Sequence, residues 1–260
     1  AVLWHIPISH YNEKARWALD WKGIEHTKRA PTPGAHMAVA LWLTRGRHGT
    51  FPVLQIDGRT IGDSSAIIAA LDEIQPEPRL IPVEPGERAR ALELEEFFDE
   101  ELAPHLRLFA FHELRRDPAA LARFTRTILP GRLGDSEAVL AGASRFSGLF
   151  AQARYRVADE DAAAEARVKI VAALDRLDAE LEASGGEHLV GGRFSSADLT
   201  AASLFMPLVQ PPLGANHLDL PEPVERFREP LRERPGYRWV ERTYERFRRP
   251  TAPATSSPAS

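Results

Sequence analysis

Asp63-Ser64 stands at the head of a predicted helix that runs from Ser64 to Ile74. A serine hydroxyl there, together with the free N–H groups of the first turn, suits an anion. A plain N-terminal cap would use the same atoms. Ser9, Tyr11 and Asn12 cluster where an earlier helix should begin, and they offer two hydroxyls and an amide as hydrogen-bond donors. Ser9 can equally be only a cap. Phe51-Pro52 leads into a strand, and a cis bond at that proline would leave the N–H and C=O of Val53 facing outward as an unpaired pair. The simpler reading is a proline that starts a strand. His105 and His112 fall on an apolar helical stripe and read as core or cleft-wall residues, and His112-Glu113 lacks the second histidine of a zinc-protease helix. No Walker loop, dinucleotide glycine motif or G-x-S-x-G elbow occurs, so neither a metal nor a nucleotide cofactor is expected. The chain has no cysteine, which rules out disulfides, thiolate zinc sites, iron–sulfur clusters and a cysteine nucleophile of its own.

These residues need elements to hold them. At 260 residues, 43% hydrophobic and 27% charged, the chain suits one large folded domain or two modest ones. A formal charge of −4 gives no footprint for nucleic acid or anionic lipid. No apolar run reaches the ~18 residues of a membrane span, and no secretory signal pattern is visible, so a cytoplasmic home is expected. Residues 1–75 read as strand (Ala1 to Ile6), helix (Asn12 to Lys22), strand (Glu25 to Ala30), helix (His36 to Leu43), two strands and a helix. The paired strands, Val53 to Ile56 and Arg59 to Gly62, flank Asp57-Gly58, a type I′ hairpin signal. Pro76, Pro78, Pro82 and Pro85 mark residues 76–87 as an extended linker.

From 88 to 250 nearly everything reads as helix. Leu94, Phe98, Leu102, His105, Phe109 and His112 form one stripe of a long helix that Pro104 should kink. Val168, Val171, Leu174, Leu177 and Leu181 mark a second helix, Ala162 to Ala183. Ser195 and Asp198 open a third as a carboxylate variant of the capping box, with Phe194 and Leu199 as its hydrophobic staple. The stretch Ile128 to Ser147, with Pro130, Gly131, Gly134 and Gly142, reads as a looser insertion over a cleft. Residues 251–260 are small and uncharged and read as a disordered tail.

Four segments together resemble the cytosolic glutathione transferase superfamily: I-S-H-Y-N-E-K-A-R-W-A-L (8–19), T-F-P-V-L-Q-I-D-G-R-T-I-G-D-S-S-A-I (50–67), the proline-rich linker, and H-L-V-G-G-R-F-S-S-A-D-L-T (188–200). The resemblance implies a thioredoxin-like α/β N-terminal domain (1–75) followed by an all-α helical-bundle C-terminal domain (88–250). It implies a detoxifying transferase that joins glutathione, or a related small thiol, to an apolar small-molecule electrophile. Glutathione is then the co-substrate, and the protein works as a homodimer.

In that reading Phe51, Pro52 and Val53 face the cysteinyl backbone of glutathione. Ser64 takes the γ-glutamyl carboxylate, and Asp63, standing where a glutamate is commoner, lies near the α-amino group. Ser9 and Asn12 occupy the two cysteine positions of the C-x-x-C found in thiol-dependent members of the fold. Ser9, Tyr11 and Asn12 are the candidate donors to the sulfur, in that order, because a donor at a helix N-terminus favours thiolate over thiol. Arg45, Arg47 and His48 are candidates for the glycyl carboxylate, although each can be plain surface charge. Phe98, Phe109, Phe111 and the segment Phe146 to Tyr155 could wall the electrophile pocket. The rival reading is a catalytically silent transferase-fold interaction module.

Overall fold

A computed structural model describes residues 1–31, 35–129, 135–214 and 218–249. Its N-terminal part runs β1 (Val2–Trp4), α1 (His10–Trp21), β2 (Thr27–Arg29), α2 (His36–Leu43), β3 (Val53–Ile56), β4 (Arg59–Gly62) and α3 (Ser64–Ile74). The sheet order is β2-β1-β3-β4, with β1 parallel to β2 and antiparallel to β3, and β3 antiparallel to β4. The predicted hairpin is in place: Asp57 and Gly58 both take positive φ, as a type I′ turn requires. Trp17, Ala18 and Leu19 of α1 and Ile67, Ile68 and Leu71 of α3 share one buried cluster with Leu3 and Leu54 of the sheet.

The proline-rich stretch is held from both sides. Asp72 of α3 accepts from the backbone N–H groups of Leu80 (3.0 Å) and Ile81 (2.7 Å) and pairs with Lys22 at 2.5 Å. The Leu80 carbonyl in turn accepts from Ser196 N–H at 2.8 Å. An extended segment without ladder partners must satisfy its backbone in this way.

The helical part comprises α4 (Pro85–Phe97), α5 (Ala103–Arg116), α6 (Pro118–Ile128), α7 (Glu137–Tyr155), α8 (Glu160–Ser184), α9 (Ser196–Val209), α10 (Glu222–Arg228) and α11 (Pro235–Phe247). The kink expected at Pro104 is sharper than a bend. A π-helical turn, Phe98–Leu102, separates α4 from α5. Pro104 cannot donate to the preceding turn and its ring crowds the carbonyl there, so the helix widens just before it. On the predicted stripe Leu94, Phe98, Leu102, Phe109 and His112 are buried, while His105 is half-buried.

Two expectations need correction. Val168 is 68% exposed, because the packing face of α8 there is carried by Ala163, Ala166 and Ile170. Of the looser insertion expected from Ile128 to Ser147, residues 137–147 belong to a regular helix, α7, capped by Ser136, and Ile128 ends α6, which Asp117 caps. Gly142 lies inside α7; Pro130, Gly131 and Gly134 lie outside the described residues, as does the 251–260 tail. The Ser195–Asp198 capping box is formed, and Phe194 and Leu199 are buried in the same cluster. Among the described residues no helix is long and apolar enough to cross a membrane.

Candidate active site

Where the two halves of the chain meet, a cavity of about 510 Å³ opens between the β1–α1 loop, the Phe51–Pro52 turn and the start of α3 on one side, and helices α5, α6 and α7 on the other. Ser9, Tyr11, Phe51, Pro52, Asp63 and Ser64 all line it. The structure therefore brings together six of the eight site residues read from the sequence. Asn12 and Val53 stand apart.

Asn12 is fully buried and fixed between two loops. Its Oδ1 accepts from Ile6 N–H at 3.1 Å and its Nδ2 donates to the Phe51 carbonyl at 3.2 Å. Buried and absent from the cavity lining, this amide positions the turn that carries Phe51 and Pro52. Val53 is also fully buried, and as the first residue of β3 it is flanked by Trp4 of β1 and Gly62 of β4. Val53 therefore belongs to the sheet and does not line the cavity. The cavity wall is formed one or two residues earlier, at Phe51 and Pro52, whose peptide bond is cis as expected.

Ser9 caps α1, its Oγ accepting from Asn12 N–H at 3.4 Å. Serving as acceptor leaves its own O–H free to donate. Tyr11 differs, because its O–H donates to the Asp99 carbonyl at 2.9 Å. Burial raises the Tyr11 pKa above the ordinary phenol value, so the phenol stays protonated.

The cap of α3 is Asp63, not Ser64. Oδ1 of Asp63 accepts from Ser65 N–H at 2.9 Å and Ala66 N–H at 3.0 Å, and Ser64 is the first helical residue. Asp63 holds φ 76° and ψ 135°, a conformation that side-chain-bearing residues rarely adopt and that costs roughly 1–3 kcal/mol. Its two capping bonds hold it there and leave the Ser64 hydroxyl on the cavity wall. Of the three cations proposed ahead of Pro52, His48 alone lines this cavity, its ring packed so closely on Gly62 that a Cβ there would meet Cδ2 at 2.5 Å. Arg45 and Arg47 are exposed on the surface.

Beneath Ser64 lies a charge network that sequence reading missed. Lys14, fully buried on α1, reaches Glu95 Oε1 (2.8 Å), Asp99 Oδ2 (2.7 Å) and Ser65 Oγ (2.8 Å). Burial alone would lower the Lys14 pKa, but the two carboxylates outweigh it and hold it above the ordinary lysine value. Asp99 belongs to the π turn, so this turn is tied to α1 and α3 through its side chain and to Tyr11 through its carbonyl. The one legible clue was Pro104, which forces the helix to widen beside these residues.

The far wall is apolar and aromatic. Phe109, Phe111, Phe146, Phe150 and Tyr155 line it, whereas Phe98 is packed in the core. His10 sits at the junction of the two walls, buried, with its pKa lowered to about 3 by desolvation and by the Arg107 charge, so its ring is neutral.

Residues 3–79 match the family model described as "Glutathione S-transferase, N-terminal domain", and residues 160–242 match "Glutathione S-transferase, C-terminal domain". The chain belongs to the glutathione S-transferase superfamily. Two curated relatives agree over short stretches: probable maleylacetoacetate isomerase 1 of Drosophila melanogaster is 43% identical over 53 residues, 20% of this chain and 22% of that protein. Maleylacetoacetate isomerase of Rattus norvegicus is 55% identical over 38 residues, 15% of this chain and 18% of that protein. The chain thus spans about a fifth of the length of the curated relatives it matches. At the level of the fold, the glutathione S-transferase of Ceriporiopsis subvermispora in complex with glutathione is 20% identical, with 97% of this chain and 98% of that one covered at a TM-score of 0.64. The superfamily's N- and C-terminal domains correspond to the mixed sheet with its helices and to the helical region that follows.

Proposed function

We propose that the protein is a glutathione transferase that conjugates the thiol of glutathione to an apolar small-molecule electrophile. The carrying observation is the single cavity in which Ser9, Ser64 and the Phe51–Pro52 turn face an aromatic wall from the other half of the chain. Glutathione bound in the Ceriporiopsis subvermispora structure supports the same ligand here. Ser64 and the first turn of α3 receive the γ-glutamyl carboxylate, with the Asp63 carboxylate near the α-amino group. The backbone at Phe51 and Pro52 meets the cysteinyl unit, and His48 is the side chain placed to hydrogen-bond the glycyl carboxylate.

Ser9 donates to the sulfur and, with the N-terminal dipole of α1, favours the thiolate after its proton leaves to solvent. The sulfur lone pair forms the C–S bond. A leaving group departs with its electron pair, or, in addition to an activated double bond, the carbanion formed takes a proton from water. In this reading the protein is a cytoplasmic homodimer serving detoxification. Isothermal titration with glutathione tests the reading. Heat at sub-millimolar to millimolar ligand is expected; no heat would overturn it in favour of a catalytically silent module of the same fold.

A further inference from the structure

The cleft contains a cation that the fold leaves uncommitted. Arg107, half-buried, is the one charged residue that α5 contributes to the cavity lining, among Leu106, Phe109 and Phe111, and its guanidinium stacks over the Tyr155 ring at 4.4 Å from the centroid. Its Nε is buried without a hydrogen-bond partner, and among the described residues Arg107 forms no ion pair. Other arginines at buried or half-buried positions are treated differently: Arg16 and Arg248 pair with Glu13, Arg90 with Glu180, and Arg228 with Glu225. Beside it, His10 is 6% exposed, with the Ala103 backbone as a hydrogen-bond partner for its ring. Arg107 lines the cavity together with Ser9, His10 and Tyr11 at one side and Phe111, Phe150 and Tyr155 at the other. Glu100 and Asp63 line the same cavity, yet neither pairs with it.

An uncompensated cation in an apolar wall is costly unless a ligand supplies the counter-charge. Stacking on Tyr155 covers one face of the guanidinium and leaves the N–H groups at its edge, the geometry that grips a carboxylate with two parallel hydrogen bonds. We propose that Arg107 is a specificity-determining residue that binds an acid group on the electrophile, so that the preferred co-substrate is an aromatic or unsaturated organic anion. This rests on the transferase reading above. The apolar body of the ligand packs on Phe111, Phe146 and Phe150 while its carboxylate reaches Arg107. The competing account is that Arg107 only fastens α7 to α5 through its stacking on Tyr155.

Two probes of matched shape separate these accounts: S-benzylglutathione and S-(4-carboxybenzyl)glutathione, titrated calorimetrically into the full chain. The unsubstituted protein should bind the carboxylate probe roughly ten- to a hundredfold more tightly, the value of a charge-assisted hydrogen bond. Arg107→Met should abolish that preference and leave S-benzylglutathione affinity within about threefold, while Arg107→Lys, which keeps charge but loses the fork, retains part of it. Should Arg107→Met fail to fold, Arg107→Gln carries the same comparison. Equal binding of the two probes by the unsubstituted protein, or a preference that survives Arg107→Met, overturns the proposal while leaving the transferase reading intact. Failure of both probes and of glutathione itself overturns that reading and this one together.

Discussion

Two groups of polar side chains lie on or beside α1 and follow opposite rules. In the first, Glu13 accepts from Arg16 (2.8 Å) and Arg248 (2.7 Å), Arg248 also reaches Asp20 (2.6 Å), and Arg16 contacts His5 Nδ1 (2.8 Å) and donates to the Pro7 carbonyl (3.0 Å). Every charge is matched, and the cluster pins the residue after α11 to the first helix. In the second, around the cleft, Arg107 Nε is buried without a partner, and the hydroxyl of Ser9 is used only as an acceptor. Buried polar groups are normally satisfied, so a satisfied set reads as architecture and an unsatisfied set beside a cavity reads as ligand-directed.

The largest effect should come from breaking the satisfied set. Glu13→Ala leaves Arg16 and Arg248 buried without their shared carboxylate and should cost roughly 3–5 kcal/mol in denaturant unfolding. A loss under about 1 kcal/mol would mean that water or Asp20 replaces Glu13, and the first half of the comparison would fall. The next effect sharpens the second half. Ser64→Ala should weaken glutathione binding about ten- to a hundredfold with little change in melting, since the cap of α3 is Asp63. Asp63→Ala should instead cost about 1 kcal/mol of stability through the lost cap. A Ser64→Ala protein that melts lower and binds glutathione unchanged would reverse these assignments.

Local chemistry was legible in the sequence where one or two residues dictate it. Asp57-Gly58 placed the hairpin and both strands at their observed limits, and Ser195 with Asp198 placed the start of α9. Pro104 announced an interruption but not its π-helical form, because a missing donor says where a helix yields and not how. Val168 misled because alanines, which look neutral in a hydrophobic stripe, carry the packing face of α8. Glycines and a proline made Ile128 to Ser147 read as loop, yet the two glycines of the 19-residue α7, Gly142 and Gly148, cost only about 1 kcal/mol each. At the site, the six residues that line the cavity were named from short motifs. Asn12 was misjudged because its partners, Ile6 and Phe51, are joined to it only by the fold. Arg107 escaped for a related reason: on sequence it is one more arginine in a helix, and only the absent partner distinguishes it.

In the proposed mechanism the open hydroxyl at the start of α1 stabilises a bound thiolate. This role is tested by following the thiolate absorbance of bound glutathione against pH in the unsubstituted protein, in Ser9→Ala and in Tyr11→Phe. The bound thiol should titrate below the ~8.5 of a free thiol. Ser9→Ala should raise that value by about one to two pKa units, the worth of a hydrogen bond to the charged form. Tyr11→Phe should leave it in place, because the Tyr11 hydrogen is already given to the Asp99 carbonyl. A bound thiol that titrates as it does free in solution, or one whose pKa rises in Tyr11→Phe and not in Ser9→Ala, would contradict the account.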